Sequence, residues 1–411
     1  NNYGVGLNTN RDSWTYNFSS TSLKKSMKMM TLNYNQEVEN LQKNKKYKLT
    51  DDDKKISWSA NLKKDAQKLK LHNFNSNNIV KSHYRPFNKQ HLYFDRPFIE
   101  RPGVNASFYP NDILENITIC VSPSANDSIS LLISTNLTNL HFNGDTQCFP
   151  LYYYEKREKV QGSLFDASGE SEYIRRDGIS DFIFERAKKQ YGKSVTKEDV
   201  FYYVYGILHC EVYRLEFAND LMKMLPRIPL VEAPKDFWAF SKAGRTLAEL
   251  HINYENVPAY EGVTVKGDDS KSFKVEKLRF PKKDQKDTIL YNSKITISNI
   301  PAQAYEYVVN GKSAIEWVME RYRIKVDLNS KGEGSGIKKD PNDWADEVGN
   351  PRYILDLILS VINVSVQTVE IVKGLPKLDF NESSSEAKEI KLYPNREEDI
   401  ETNIATEPDA K

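Results

Sequence analysis

Residues 196–255 read TKEDVFYYVYGILHCEVYRLEFANDLMKMLPRIPLVEAPKDFWAFSKAGRTLAELHINYE. Thr196, followed by Glu198 and Asp199, has the form of a helix start. A hydroxyl accepts an orphan backbone N–H, and the acids sit beside the positive end of the helix dipole. Val200, Tyr203, Val204, Ile207 and Leu208 then fall on one face of an amphipathic helix. Tyr213, Phe217, Leu221 and Leu225 predict a second helix that Pro226 ends. Phe240, Ala243, Leu247 and Leu250 mark a third. This stretch reads as the central scaffold of a folded domain.

Upstream, Leu23, Met27, Met30, Tyr34, Val38 and Leu41 recur at three- and four-residue steps, with Lys24, Lys25 and Lys28 off that face. The spacing predicts one long helix over 21–41. The run QKNKKYKLTDDDKK (42–55) predicts a solvated loop, and Trp58, Leu62 and Leu69 a second amphipathic segment. Residues 79–102, IVKSHYRPFNKQHLYFDRPFIERP, contain three X-Pro steps. Proline pushes the preceding residue to extended backbone, which favours short strands joined by turns. From Ile117 to Tyr154, β-branched and aromatic runs (ITICVS, ISLLIST, LHF, CFPLYYY) are split by Asn, Asp, Ser and Gly, the texture of a sheet. Its loops SPSAND and NGDTQ are places to hang contacts.

Downstream, residues 261–298 predict strands around a Lys-rich loop, with Ile295 and Ile297 alternating against Thr296 and Ser298. Ser313 and Glu316 form a capping-box pattern for a helix through Ile315, Val318, Met319 and Tyr322. Asn350-Pro351 opens a helix through Ile354, Leu357, Ile358 and Val361. Beyond Leu375 the chain turns polar and acidic. The fold class is mixed α/β (α+β): an N-terminal helical connector, a β-rich lobe, the central helical scaffold and a C-terminal helical lobe.

Composition bounds the function. Of 411 residues, 39% are hydrophobic, 11% aromatic and 28% charged, a globular balance rather than a disordered or membrane one. The formal net charge is +1, so a surface for a polyanion must be local, with acids segregated elsewhere. Cys120, Cys148 and Cys210 cannot all pair and show no C-x-x-C spacing, which predicts buried thiols in a reducing compartment. No apolar run reaches about 18 residues, so no membrane span is expected. The chain opens at Asn1 without initiator Met, basic n-region or apolar h-region, which reads as the cut end of a longer or processed protein. The N-x-S/T matches at Asn17, Asn105, Asn116, Asn126, Asn136, Asn363 and Asn381 are those of an Asn-rich chain, and glycosylation is not expected.

Catalytic patterns are sparse. There is no G-x-x-x-x-G-K-S/T, and His209 beside Cys210 has no partner at metal-ligand spacing. Asp379 followed by Glu389-Ile390-Lys391 mimics the acid-then-E-x-K arrangement that holds a divalent ion in nucleases. A solvated acidic tail explains the same residues.

What remains is local basic and amide-rich patches. Arg85, Asn88, Lys89, Gln90, Arg96 and Arg101 lie among Tyr84, Phe87, Tyr93 and Phe94. Arg and Lys donate to phosphates and guanine edges, and Asn and Gln bond adenine bidentately. A packed turn with Arg85 paired to a buried carboxylate accounts for the same pattern. Arg175, Arg176, Lys188 and Lys189 are further candidates, as are Lys242 and Arg245, three apart on one helix face. Lys282 and Lys283, in a loop, complete the set. Solvated surface charge is the other reading of each.

Several segments, in order, resemble the C-terminal target-recognition domain of type ISP restriction-modification enzymes: TNRDSWTYNF (9–18), SHYRPFNKQHLYFDR (82–96), LHFNGDTQCFPLYYYE (140–155), RRDGISDFIFERAKKQYG (175–192), the stretch 196–255 and NGKSAIEWVMERY (310–322). The similarity runs from about Asn10 to Leu375. It implies a DNA-reading domain with no chemistry of its own. The partners implied are double-stranded DNA and the methyltransferase domain of the same polypeptide, in the bacterial cytoplasm. No cofactor is expected in this chain, and neither a glycine-rich methyl-donor loop nor an N/D-P-P-Y/F motif occurs. S-adenosylmethionine, ATP and Mg are implied for domains outside it. The expected parts are a connector from the methyltransferase side (1–75), a β-rich DNA-recognition lobe (76–190), the helical scaffold (191–260), a second α/β lobe (261–378) and an acidic tail (379–411). The stretches 103–140 and 262–290 resemble no motif of the family and are where base-reading loops are expected. A structural or protein-interaction domain and a free-standing metal-dependent nuclease are the alternatives.

Overall fold

Side-chain caps set the starts of half of the described α-helices. The computed structural model describes residues 3–111, 114–124, 128–157, 172–269 and 272–378. Ser19 accepts from Ser22 N and opens Ser20–Lys43; Ser59 does the same for Ala60–Gln67. Thr196 and Asp199 form a reciprocal capping box at the head of Lys197–His209, as Ser313 and Glu316 do for Ala314–Arg321. Pro234 occupies the first turn of Pro234–Ile252, where its missing N–H costs nothing.

Two starts and stops differ from the sequence reading. The helix expected to run to Pro226 is broken at Phe217 into Glu211–Glu216 and Ala218–Leu221. Asp220 N and Leu221 N both turn back to Phe217 O, so the ladder restarts there. Tyr213 and Leu221 are still buried and Phe217 and Leu225 half-buried, so the expected apolar face survives the break. The last helix, Tyr353–Lys373, begins two residues beyond Pro351 because Asn350 Oδ1 caps a preceding turn through Arg352 N. That helix is long and apolar enough to cross a membrane, contrary to expectation. However, 72% of its apolar window is buried inside the protein, and it serves as the central core helix.

The strands form small sheets. One is antiparallel, in the order Gly4–Val5, Gln147–Pro150, Thr118–Ser124, Ser128–Ser134. A second runs Tyr16–Asn17, Asn88–Tyr93, Ile79–Arg85, Leu137–Thr138, its last pair parallel. The first eighteen residues thus stitch the two sheets together, and Leu7 N bonds Thr138 O at 2.8 Å on the way. The polar segment of residues 8–13 is held between them. Strands Thr264–Lys266, Ile289–Leu290 and Thr296–Ser298 build a third sheet in the 261–298 region.

One core joins Phe18 and Phe87 to the apolar side chains of Ala314–Arg321 and Tyr353–Lys373. Another packs Leu23, Met27, Met30 and Tyr34 against Leu62, Tyr93 and Phe98. All three thiols are free and buried, with Cys120 and Cys148 opposite one another in register. The described residues up to Pro376 form one compact unit. The acidic tail, Asp379, Glu389 and Lys391 lie outside the described residues, as do Asn126, Asn381 and the end of the SPSAND loop.

Candidate nucleic-acid interface

The β-alternation of Asn88–Tyr93 decides the fate of the sequence candidates there. Asn88, Gln90 and Leu92 share a face and are 0%, 3% and 0% exposed. Gln90 Nε2 donates to Asn88 Oδ1 at 3.0 Å. Lys89, on the other face, pairs with Glu255, and Tyr353 Oη donates to the second oxygen of Glu255 at 2.5 Å. Arg85 Nη1 donates to Tyr84 O at 2.6 Å and to Asn139 Oδ1 at 2.8 Å, and its Nη2 stands 3.7 Å from Asp12. That is the packed turn weighed from sequence.

The remaining candidates are scattered. Arg96 Nη1 donates to Ile99 O, while Arg101 is exposed and its backbone bridges Asn8. Arg175 lies over the Tyr152 ring at 4.4 Å, and Arg176 pairs with Glu155 at 3.0 Å. Lys188 pairs with Glu185, whereas Lys189 is exposed. Arg245 turns to Glu198 and Asp199, while its helix neighbour Lys242 is exposed. Lys282 and Lys283 are exposed in the loop before Ile289–Leu290. From the 103–140 stretch, Tyr109, Asn111 and Asn136 line a groove of about 1100 Å³ together with Arg175.

A second cleft, of about 520 Å³, is where distant segments converge. Its walls come from residues 8–18, from Tyr84 and Gln90 of the hairpin, and from residues 320–339. Five cations line it (Arg11, Arg321, Arg323, Lys325, Lys339) against three carboxylates (Asp12, Glu320, Asp327). The local turn explains its floor. Thr9 Oγ1 donates to Asp12 at 2.5 Å, Asn10 N bonds Asn8 Oδ1 at 2.8 Å, and Asn10 takes the left-handed φ of 54° that Asn tolerates.

Arg11 is 3% exposed, and none of its guanidinium nitrogens has a hydrogen-bond partner. Burial pushes it down to about 10, and Glu100 holds it up against that. Lys339 Nζ donates to Asp12 O at 2.8 Å. Burial pushes Lys339 down to about 8, opposed by Asp12 and Asp327 and reinforced by Arg85 and Lys325. Arg321 pairs with Glu320 at 3.0 Å, yet its Nε is buried without a partner. Five cations against three carboxylates make the cleft net positive and favourable to anionic oxygens, while the Arg11 guanidinium is buried and feels the charge of Glu100.

The five cations were missed from sequence. The signal available was the run Arg321-Tyr-Arg323-Ile-Lys325, cations two apart where the Ala314–Arg321 helix gives way to the strand Lys325–Val326. Between residues 20 and 70 there are also thirteen lysines against six carboxylates and no arginine. All thirteen are exposed, and among the described residues only Lys55 and Lys70 have ion-pair partners. The near-neutral chain is therefore segregated, with one end strongly positive.

The structural likenesses cover 92% of this chain. A nuclease-deletion mutant of the Type ISP restriction-modification enzyme LlaGI, in complex with a DNA substrate mimic, is 37% identical with a TM-score of 0.78. The ATP-dependent Type ISP restriction-modification enzyme LlaBIII bound to DNA is 35% identical with a TM-score of 0.79. DrdV, in a complex with DNA, is 27% identical with a TM-score of 0.75. This chain spans 33%, 23% and 36% of the length of those chains respectively. A search of curated proteins gives no match. Of the cleft's lining, Asn10 to Phe18, Tyr84, Gln90, Glu320 and Arg321 fall in segments whose sequences resembled the family, whereas Arg323, Lys325, Asp327 and Lys339 lie beyond them. The model for the Type ISP C-terminal specificity domain matches residues 1–357, and the chain belongs to that family.

Proposed function

We propose that this chain recognises a sequence in duplex DNA, seating backbone phosphates in the cleft of Arg11, Arg321, Arg323, Lys325 and Lys339. The observation that carries the reading is the convergence of residues 8–18, the hairpin at Tyr84 and Gln90, and residues 320–339, far apart in the chain, on one cleft with five cations against three carboxylates. Phosphate contacts fix register without reading sequence, so readout falls to side chains that reach base edges. The groove walled by residues 109–117 and 135–137, with Arg175, has the amides and guanidinium that this task needs. The exposed lysines of residues 20–70 supply a long-range, salt-sensitive attraction to the duplex.

In a longer polypeptide of the family's kind, these contacts would position an asymmetric site for a methyltransferase domain. Chemistry using S-adenosylmethionine, ATP and Mg would belong to other domains, in a bacterial cytoplasm. The test is selection by the purified chain from a random duplex library at about 50 mM salt, where phosphate contacts remain strong. Enrichment of one asymmetric motif is the expected result, with an Arg323→Ala/Lys325→Ala variant of unchanged stability binding every sequence more weakly while enriching the same motif. No binding at low salt overturns the reading in favour of a protein-interaction domain.

A further inference from the structure

Two buried histidines sit side by side at the end of the scaffold helices, and only one is satisfied. Thr368 Oγ1 donates to Val364 O at 2.7 Å, so it accepts from His251 Nε2 at 2.9 Å. The remaining lone pair, on Nδ1, accepts from Tyr205 Oη at 2.7 Å. The relay uses every polar atom of His251. His209 is different. Its Nδ1 lies 2.9 Å from Tyr205 O, and a carbonyl cannot donate, so Nδ1 carries the hydrogen and Nε2 is a bare acceptor. That Nε2 is buried without a partner, in a side chain 5% exposed. Tyr307, stacked on His251 at 5.0 Å and 5°, has a buried hydroxyl with no partner either.

Both unsatisfied residues line a cavity of about 570 Å³, the size of a small-molecule site. Ile129, Leu131, Leu215, Val308, Val369 and Val372 give it an apolar lining. Its charges balance: Arg214 and Lys373 face Glu211 and Glu306, and Lys373 pairs with Glu306 at 2.8 Å. The Asn310-Gly311 tip of the neighbouring hairpin, with φ of 45° and 78°, has the left-handed backbone of a tight two-residue turn and forms part of the rim.

We propose that this cavity is a binding site for a small neutral molecule with an apolar or aromatic body and one hydroxyl or amide group. That group donates to His209 Nε2 and accepts from Tyr307 Oη, satisfying both buried atoms at once. Charge balance at the rim argues for a neutral occupant, and the lining for an apolar body. The site is independent of the DNA-binding reading, since none of the residues lining the cationic cleft lines this cavity.

The test is titration of the full chain with phenol, and with toluene as the same shape lacking the hydroxyl. Affinity and the imidazole nitrogen resonances are read together. Phenol, whose hydroxyl makes two hydrogen bonds that toluene cannot, is expected to bind at least about fivefold more tightly than toluene and to move the His209 Nε2 resonance. Tyr307→Phe keeps the ring stacked on His251 and should bring the phenol-to-toluene ratio towards one without lowering Tm. Equal binding of the two probes would make this a plain apolar cavity and overturn the proposal. So would absence of phenol binding at millimolar concentration, as expected if ordered water fills the site, or an unchanged ratio in Tyr307→Phe.

Discussion

Gly206 and Gly244 bring the two scaffold helices together backbone to backbone. A Cβ on Gly244 would stand 1.9 Å from Tyr202 O and 2.8 Å from Gly206 N, and one on Gly206 would stand 2.3 Å from Phe240 O. Lys197–His209 and Pro234–Ile252 can therefore cross this closely only with glycine at both positions. Gly244→Ala should lower stability by about 3 kcal/mol, since overpacking against backbone outweighs the helix propensity gained. Gly349→Ala is the control. It meets nothing within 4 Å and has a φ of 71°, so it should cost only about 1 kcal/mol of backbone strain. Equal, small losses in urea denaturation of the two variants would show that the helices slide apart without cost.

Lys89, a candidate DNA contact by sequence, is expected to act in folding instead. Its ammonium is 15% exposed against the 19% exposed Glu255 and lies 5.0 Å from the Tyr254 ring. Lys89→Met strands a buried carboxylate and should cost about 3 kcal/mol, with much of the loss recovered in the Lys89→Met/Glu255→Met double variant. Duplex affinity, measured where both variants remain folded, should stay near that of the parent. A drop in affinity with unchanged melting would return Lys89 to the interface.

The helices were legible because their signals are local. Ser313 with Glu316, and Thr196 with Asp199, announce a helix within four residues, and the structure forms both boxes. The break at Phe217 was not legible, because the apolar periodicity of Tyr213, Phe217, Leu221 and Leu225 runs through it unbroken and only the backbone hydrogen-bond ladder restarts there. For Asn88 and Gln90 the residue types pointed to readout, but alternation with Leu92 points the same side chains inward. The cleft was hidden for another reason. Arg11, Tyr84 and Arg323 are neighbours only after the two sheets and the C-terminal helices have closed around residues 8–18, and no local pattern encodes that closure.

Burial of histidine predicts a pH dependence with a definite sign. His209 is pushed down to about 4 by burial, and His83 and His251 are pushed well below their ordinary value for the same cause. Below about pH 6.5 the unfolded chain binds protons that the folded chain refuses, so stability falls as pH drops. For His209 the loss accumulates to about 3 kcal/mol between pH 6.5 and 4. Asp327, Asp340, Glu316 and Glu320, whose folded values are lowered, withdraw their stabilisation only below the carboxylate range. Urea midpoints between pH 7 and 5 therefore report the histidines. A flat midpoint across that window would mean that the three rings gain solvent or partners on protonation.

The cleft's own titration gives the sharpest test of its role. Lys339, pushed down to about 8, is cationic at pH 7 and largely neutral by pH 9, so the cleft loses one of its five positive charges across that range. Duplex affinity should fall several-fold from pH 7 to 9, with the slope against salt reduced by about one counterion. Lys339→Met should show the weaker binding and shallower slope already at pH 7, and little further change at pH 9. Arg323→Ala and Lys325→Ala, at exposed positions, should each lower affinity uniformly across sequences, as phosphate contacts do. A bound phosphate lifts the Lys339 pKa by favouring the ammonium, so the fall should come at higher pH when DNA is saturating than when it is scarce. Full affinity in folded Lys339→Met at pH 7 would take the cleft out of the phosphate path and leave the lysines of residues 20–70 as the surface that meets the duplex.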